Sequence, residues 1–328
     1  MTFQPRVVLK PLGIVLAVVV VVLVVGQSVP HFLTVYNLSN VFVQAALVAV
    51  AAYGMTLVLL TGGIDLSVGG LMSLTGVLLA VLAGAGVPWP VAILIALLGG
   101  AVIGLLNGLC VAQLGLPPFI ATFGTLGICA GLALFISDAL DARSIPEPMA
   151  AIGNDKVAGI PILVIIALVV LLILELLQRQ TTWGVHLRAV GDSPAVARIR
   201  GTNAKATLVS AYLGSGILTA AAGTLLASNL STASPIQGEP YTLSAVAACV
   251  IGGVDLFGGR GRLWAAALGT VFLAALKNAL NLLGVQPFMQ GLVTGLLIIL
   301  AVFLTVRGPR LRDRVAALFT RYRPGVSA

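Results

Sequence analysis

Four ionisable side chains lie within the apolar stretches of this sequence or at their ends: Asp65, Glu175, Asp255 and Lys277. Charged groups at membrane depth are unfavourable, and carriers use them to bind a coupling ion or proton. Both aspartates follow a glycine pair, Glu175 lies near the end of a stretch, and Lys277 is close enough to an end to extend its ammonium group to the interface. The set is sparse, so an ion-coupled carrier is a minor alternative.

The remaining reactive residue types form no recognisable centre. The two histidines (His31 and His186) are expected on opposite sides of a membrane, and the three cysteines (Cys110, Cys129 and Cys249) are dispersed in apolar stretches. Such a set predicts no disulfide framework and no metal site. The phosphate-binding pattern G-x-x-x-x-G-K-S/T does not occur around any lysine in the apolar or loop segments. We therefore expect a non-catalytic chain that holds neither a metal nor a cofactor.

Composition places the chain in a membrane. Hydrophobic residues make up 59% of the 328 residues and charged residues only 9%. Apolar runs that approach or exceed 18 residues predict an all-α, polytopic transmembrane bundle. We expect about ten spans, of which the eighth is short and either broken or re-entrant: 12–29, 41–60, a third ending near 83, 91–112, 120–136, 160–177, 207–228, 243–256, 263–283 and 288–306.

The basic residues predict the orientation of these spans. The net charge is +8, and 15 of the 18 lysines and arginines fall in segments that share one side if both termini do. Positive residues mark cytoplasmic loops, so we expect cytoplasmic termini, a basic cytoplasmic tail at 307–328 and no role in nucleic-acid binding.

Glycine motifs suggest two related halves, at about 37–137 and 207–306. GGIDL at 62–66 matches GGVDL at 252–256, and GLPPF at 115–119 parallels GVQPF at 284–288. The relation is parallel with ten spans and inverted if the eighth is re-entrant. Gly63, Asp65, Ser67, Gly253 and Asp255 could unwind helices for a polar solute. Alternatively, each motif forms a tight turn in which the aspartate caps the next helix, and we favour this structural role for Asp65 and Asp255.

Three amides lie within apolar spans, where each needs a hydrogen-bonding partner: Asn107, Asn278 and Asn281. Bonds between helices and the lining of a polar pathway are equally good explanations for them. Glycines at 100, 104 and 108 repeat every four residues, a spacing that predicts close packing of two helices.

The central polar segment, residues 181–205, separates the two halves. Ser193 is expected to cap a short helix that starts at Pro194 and ends at Gly201 in the left-handed conformation. This helix carries Arg198 and Arg200 and is too short to be stable alone. The segment is either a solvated loop or a structure that another protein binds.

With these motifs in order, the chain resembles the permease subunits of ribose-type ABC importers for monosaccharides over residues 37–306. The markers are GGIDLSVGG (62–70), Asn107-Gly108, PPFIATFGT (117–125), T-x-x-G-x-x-x-x-A-x-G (181–191), IGG (251–253) and GGRG (258–261). The chain departs from the family at Asp192 and Lys277, where asparagine is common. Because Lys277 departs from the family pattern, a role in the transport pathway that the family implies for the residues around it is in doubt.

The resemblance implies a single permease domain (1–328) with a cytoplasmic coupling loop at 179–206. It assigns ATPase coupling to Ser193, Pro194, Ala197, Arg198, Arg200 and Gly201, and it adds Pro118, Phe119 and Thr122 to the candidates for the pathway or its helix breaks. It implies a bacterial inner-membrane location, a second permease subunit, a cytoplasmic ABC ATPase that binds ATP and Mg²⁺, and an external sugar-binding protein, periplasmic or lipid-anchored. The alternatives are permeases for branched-chain amino acids or nucleosides.

Overall fold

Helices form nearly all the regular structure of the computed structural model, which describes residues 20, 26–142, 145–286 and 288–303. Most of the predicted first span and the whole basic tail lie outside the described residues. The helices are α1 (Val35–Leu60), α2 (Val68–Gly84), α3 (Trp89–Ala112), α4 (Pro118–Ile136), α5 (Glu147–Asn154), α6 (Ile162–Gln180), α7 (Thr182–Asp192), α8 (Pro194–Ile199), α9 (Ala204–Leu230), α10 (Glu239–Ile251), α11 (Leu263–Leu282) and α12 (Phe288–Phe303). Strands β1 (Lys156–Val157) and β2 (Ile160–Pro161) form a small hairpin.

The bundle is built around α1. This helix starts at Thr34, whose side-chain oxygen accepts a hydrogen bond from the Asn37 N–H, and its most apolar 18-residue window is 83% buried. The corresponding windows of α4 and α6 are only 22% and 17% buried. A helix that is apolar all round belongs in the centre of a bundle, whereas the exposed apolar faces of α4 and α6 suit contact with lipid. The expectation of an all-α polytopic membrane bundle is therefore confirmed.

Six described helices are long and apolar enough to cross a membrane: α1, α3, α4, α6, α9 and α11. Three further apolar helices, α2, α10 and α12, are shorter, and the predicted count of ten spans is not confirmed. The eighth predicted span was placed at 243–256, but α10 is Glu239–Ile251. At 1.5 Å per residue its 13 residues reach about 20 Å, less than the hydrocarbon thickness.

The segment that contains the eighth predicted span, residues 231–259, is helical only over α10. Residues 231–238 enter the bundle beside α2 without forming a helix, and Gly238 N donates to Ser73 Oγ at 2.9 Å. Just beyond, Gly69 N donates to Thr242 Oγ1 at 2.8 Å. The chain leaves α9 at one end of the bundle and reaches 252–259 at the other. Non-helical backbone is tolerated at membrane depth only where protein groups satisfy it, as Ser73 and Thr242 do here.

The two motif pairs are related in different ways. Both GGxDL motifs lie at the end of the bundle that carries α7 and α8, the coupling end, so this pair is parallel. GLPPF lies at the coupling end too, since Lys205 Nζ donates to Gln113 Oε1 at 3.1 Å. GVQPF lies at the opposite end, where the Asn37–Asn278 pair joins α1 to α11. The similarity of GLPPF and GVQPF is therefore not part of one parallel repeat.

The predicted glycine packing face is confirmed on α3. Methyl groups added at Gly100, Gly104 or Gly108 would collide with the backbone or side chains of α9, and Gly216 of α9 meets α3 in the same way. The absence of side chains lets the two backbones touch at three positions that are one turn apart. This contact joins the first half of the chain to the second.

Candidate functional site

The polar segment between α6 and α9 folds into two short helices at the coupling end. The Ser193 hydroxyl accepts a hydrogen bond from Val196 N at 3.4 Å, and Gly201 has φ +83°. Thr202 N donates to Ala197 O at 3.0 Å, which closes the end of α8. The predicted cap and stop are thus confirmed. The preceding helix α7 was not predicted, although buried Leu187 and Val190 have helical spacing. Asp192 is its last residue.

Helix α8 has one buried face and one open face. Ala197 is 2% exposed and packs with Val190 of α7 and Ala204 of α9. On the other side, Ile199 is 86% exposed and Val196 49% exposed, flanked by exposed Pro194, Arg198 and Arg200. Neighbouring exposed apolar side chains with a polar rim are found at protein-binding surfaces. Sequence reasoning missed Ile199 and Val196, whose signal was two β-branched apolar residues inside a polar segment.

Behind this surface, four glycines from three segments meet, and we call Gly62, Gly191, Gly258 and Gly259 the glycine junction. A Cβ at Gly191 would fall on Leu60 O and on Gly259 N, and one at Gly258 would fall on Gly62 and on Gly191 O. Gly62, Gly258 and Gly259 have φ of +80°, +96° and +73°, values that favour glycine. The end of α1, the end of α7 and the loop after α10 therefore touch backbone to backbone.

Buried polar groups stabilise the non-helical turn between α1 and α2, which contains the first GGxDL motif and which we call the first GGxDL break. Asp65 Oδ1 accepts from Ser67 N (3.0 Å) and Ser67 Oγ (2.5 Å), and Asp65 Oδ2 accepts from Ser215 Oγ of α9 (2.8 Å). Asn107 Nδ2 of α3 donates to Ser67 Oγ at 3.1 Å, and Thr125 Oγ1 of α4 donates to Asn107 Oδ1 at 2.8 Å. We call these five residues the Asp65 network. The network joins four segments and gives Asp65 a structural role in the turn. The predicted capping of the next helix is wrong, because α2 begins at Val68 and Asp65 bonds to Ser67 N, which precedes it.

The carbonyl next to Asp65 is also satisfied. Ile64 O accepts from Tyr212 Oη at 3.3 Å and from Thr122 Oγ1 at 3.4 Å, while Gly63 packs against the Tyr212 hydroxyl. Asp65 has no basic partner within 4 Å in the described part of the chain. The polar groups of the first GGxDL motif are therefore satisfied by neutral hydrogen-bond donors. Their role is to fix the shape of the turn between α1 and α2.

The second GGxDL break has the same turn but a more open setting. Asp255 Oδ1 accepts from Phe257 N at 3.0 Å, as Asp65 does from Ser67, but Asp255 is partly exposed and Phe257 is 76% exposed. Gly253 has φ +76°, whereas in the first motif the left-handed residue is Gly62, one position earlier. The two motifs therefore match in sequence but differ by one residue in where the helix stops.

The start of α4 places Pro118 and Phe119 away from the Asp65 network. Phe119 is 56% exposed and stacks on Phe123 with ring centroids 5.8 Å apart. Thr122, which lies between these two rings in the sequence, is fully buried. Of these three candidates only Thr122 reaches the first break.

All three amides bond between elements, but only two of them are buried. Asn37 Nδ2 donates to Asn278 Oδ1 at 2.8 Å, and Asn278 Nδ2 donates back to Asn37 Oδ1 at 2.9 Å. Asn107 belongs to the Asp65 network, which favours the interhelical role for it as well. Asn281 is exposed and accepts from Gln290 Nε2 at 2.6 Å, so it does not share the buried face of Asn278.

The remaining charged candidates are separate from one another. Lys277 is half-buried, and its ammonium group donates to Ser244 Oγ of α10 at 2.8 Å. Glu175 accepts from Arg179 Nε at 2.6 Å near the coupling end. The described residues thus bring Asp65, Ser67, Asn107 and Thr122 together, but place Lys277, Asn278 and Asn281 elsewhere.

The chain is similar to known permeases over most of its length. Residues 37–302 match the family described as branched-chain amino acid transport system / permease component. The ribose import permease protein RbsC of Bacillus subtilis is 38% identical, over 90% of this chain and 93% of that protein. The D-allose transport system permease protein AlsC of Escherichia coli is 35% identical, with 87% and 88% covered.

A third relative extends the set of sugars. The galactose/methyl galactoside import permease protein MglC of Haemophilus influenzae is 32% identical, over 85% of this chain and 89% of that protein. No solved structure matches the chain. The family description names amino acids, whereas these three relatives are named for sugars.

Proposed function

The chain belongs to the family described as branched-chain amino acid transport system / permease component, and we propose that it is the permease subunit of an ATP-driven monosaccharide importer. The observation that carries this proposal is its 32–38% identity, over most of both chains, to permeases named for ribose, allose and galactose. The same relatives disfavour a branched-chain amino acid as the substrate.

The open face of α8 is the proposed docking site for a cytoplasmic ABC ATPase. Ile199 and Val196 would enter an apolar cleft, while Arg198 and Arg200 pair with acidic groups at its rim. Ser193, Pro194 and Gly201 fix the ends of the helix, and Ala197 anchors it to the bundle. Each of the six predicted coupling residues thus has a physical task in this proposal.

Transport would follow from movement of α8. ATP and Mg²⁺ bind in the partner ATPase, its closure displaces α8, and the halves of the bundle shift about the α3–α9 contact. The sugar, delivered by an external binding protein, passes between this chain and a second permease subunit. The Asp65 network would hold the first break in shape during this cycle rather than bind sugar.

The chain is a multi-pass membrane protein, and we place it in the bacterial inner membrane with both termini in the cytoplasm. The charge distribution supports this orientation, because 15 of 18 basic residues lie in segments assigned to one side. Protease digestion of right-side-out vesicles should leave a C-terminal tag intact, and cleavage of that tag would contradict the orientation.

Reconstitution tests the proposal directly. Proteoliposomes that contain this chain, its partner ATPase and its binding protein should accumulate labelled ribose, allose or galactose only when ATP is supplied inside. Labelled leucine serves as the control substrate. Accumulation against a gradient by this chain alone would contradict the proposal and favour an ion-coupled carrier.

A further inference from the structure

The glycine junction connects the coupling segment to both GGxDL breaks, and we infer that it is the joint that transmits movement of α8 into the membrane. This inference rests on the proposed function, because the movement is one that the partner ATPase imposes. It assigns a positioning role to Gly191, Gly258 and Gly259, which lie outside the predicted set of coupling residues.

Helices α7 and α8 are built to move as one body. They are joined by the single extended residue Ser193, whose N–H donates to Ala189 O at 3.1 Å. Ala197 of α8 and Val190 of α7 are both almost fully buried in the same small cluster. A displacement of α8 therefore carries the end of α7 with it.

The end of α7 touches the membrane breaks without an intervening side chain. Gly191 lies where a Cβ would fall on Leu60 O, at the end of α1, and on Gly259 N, in the second break. The Asp192 carboxylate also covers the position that a Cβ of Gly259 would occupy. Close-packed backbone cannot absorb a displacement by rotamer changes as side chains can, so the displacement is passed on.

The two breaks are also joined to each other. Gly259 N donates to Leu60 O at 3.0 Å, and Gly258 packs on Gly62 at the start of the first GGxDL motif. From this motif the chain continues into the Asp65 network, and from the second break it continues into α11. The glycine junction therefore contacts both the first and the second half of the bundle.

The test compares two glycines of the same helix. Gly191→Ala places a methyl group on the junction, and Gly184→Ala places one on the backbone of Gln178, where α7 meets α6. Both changes crowd backbone to a similar degree, so a general loss of stability affects both. Only Gly191→Ala alters the contact with the two breaks.

The measurement is ribose uptake per ATP hydrolysed by the complete importer in proteoliposomes. We expect Gly191→Ala to lower this ratio on the order of ten-fold, the range seen for residues that carry coupling between sites. Gly184→Ala should leave the ratio within about two-fold of the unsubstituted protein, as expected for a change outside the coupled contact. An unchanged ratio in Gly191→Ala, or equal losses in both variants, would overturn the inference.

A distance measurement decides the question even if Gly191→Ala fails to assemble. Spin labels are placed at Ala195 of α8, at Phe257 of the second break and at Leu140 in the opposite loop, all exposed positions. Binding of a non-hydrolysable ATP analogue to the complex should change the 195–140 and 257–140 distances together, with 195–257 constant. Movement of residue 195 while 257 stays fixed would overturn the inference, whereas a wild-type importer without ATP-driven uptake of any tested sugar would contradict the proposed function instead.

Discussion

Replacement of Asp65 tests whether its carboxylate stabilises the fold or takes part in transport. The side chain is 1% exposed and accepts three hydrogen bonds, from Ser67 N, Ser67 Oγ and Ser215 Oγ. Asp65→Ala removes all three acceptors. Asp65→Asn keeps the shape and one acceptor oxygen, and its Nδ2 can donate to the Ser215 hydroxyl, which is able to accept as well as donate.

The two variants should differ strongly in stability. In Asp65→Ala the Ser215 hydroxyl can turn to a carbonyl of its own helix, as Ser228 Oγ does to Thr224 O at 2.7 Å. The buried Ser67 N–H has no such substitute, so we expect a loss of about 3 kcal/mol in the free energy of unfolding. Asp65→Asn should lose less than about 1 kcal/mol, since it also removes a buried charge that has no basic partner.

Thermal unfolding in detergent and uptake in proteoliposomes together test this reasoning. For a chain of this size, about 3 kcal/mol corresponds to a fall in Tm of roughly 4 °C for Asp65→Ala. Asp65→Asn should unfold within about 2 °C of the wild type and should transport sugar at a similar rate. A stable Asp65→Asn protein that has lost uptake would refute the structural role and revive the ion-coupled carrier.

Three further predictions concern separate contacts. Ile199→Glu should weaken binding of the partner ATPase by roughly ten-fold or more, measured by co-purification or surface binding, because burial of an isoleucine contributes about 2 kcal/mol. Asn278→Leu should lower the free energy of unfolding by about 1–2 kcal/mol by leaving the buried Asn37 Oδ1 without its donor. Asn37→Leu in the same chain should restore part of that loss. Gly104→Ala should destabilise the α3–α9 contact by about 1–3 kcal/mol, whereas Gly99→Ala, with nothing within 4 Å, should be neutral in the same unfolding assay.

Each of these three predictions has an outcome that would contradict it. Full ATPase binding by Ile199→Glu would move the docking site away from the open face of α8. A double Asn37/Asn278 variant no more stable than the single one would show that the amides act independently. Equal losses for the two alanine variants of α3 would mean that the glycines serve helix flexibility rather than close approach.

Local sequence determined the features that depend on a few neighbouring residues. Ser193, Pro194 and Gly201 specify the short helix α8, because capping and left-handed geometry are properties of single residues. The spacing of Gly100, Gly104 and Gly108 likewise determined a face for close helix packing, and long apolar runs determined an all-α membrane bundle.

Tertiary structure decided which segments meet. The sequence left Asp65 and Asn107 as separate candidates, and only the fold joins them to Ser215, 150 positions after Asp65 in the chain. The glycine junction has the same origin, since no local rule relates Gly62 to Gly191 and Gly258. Such contacts depend on the relative placement of whole helices, which is set by packing across the bundle and not by the residues beside each glycine.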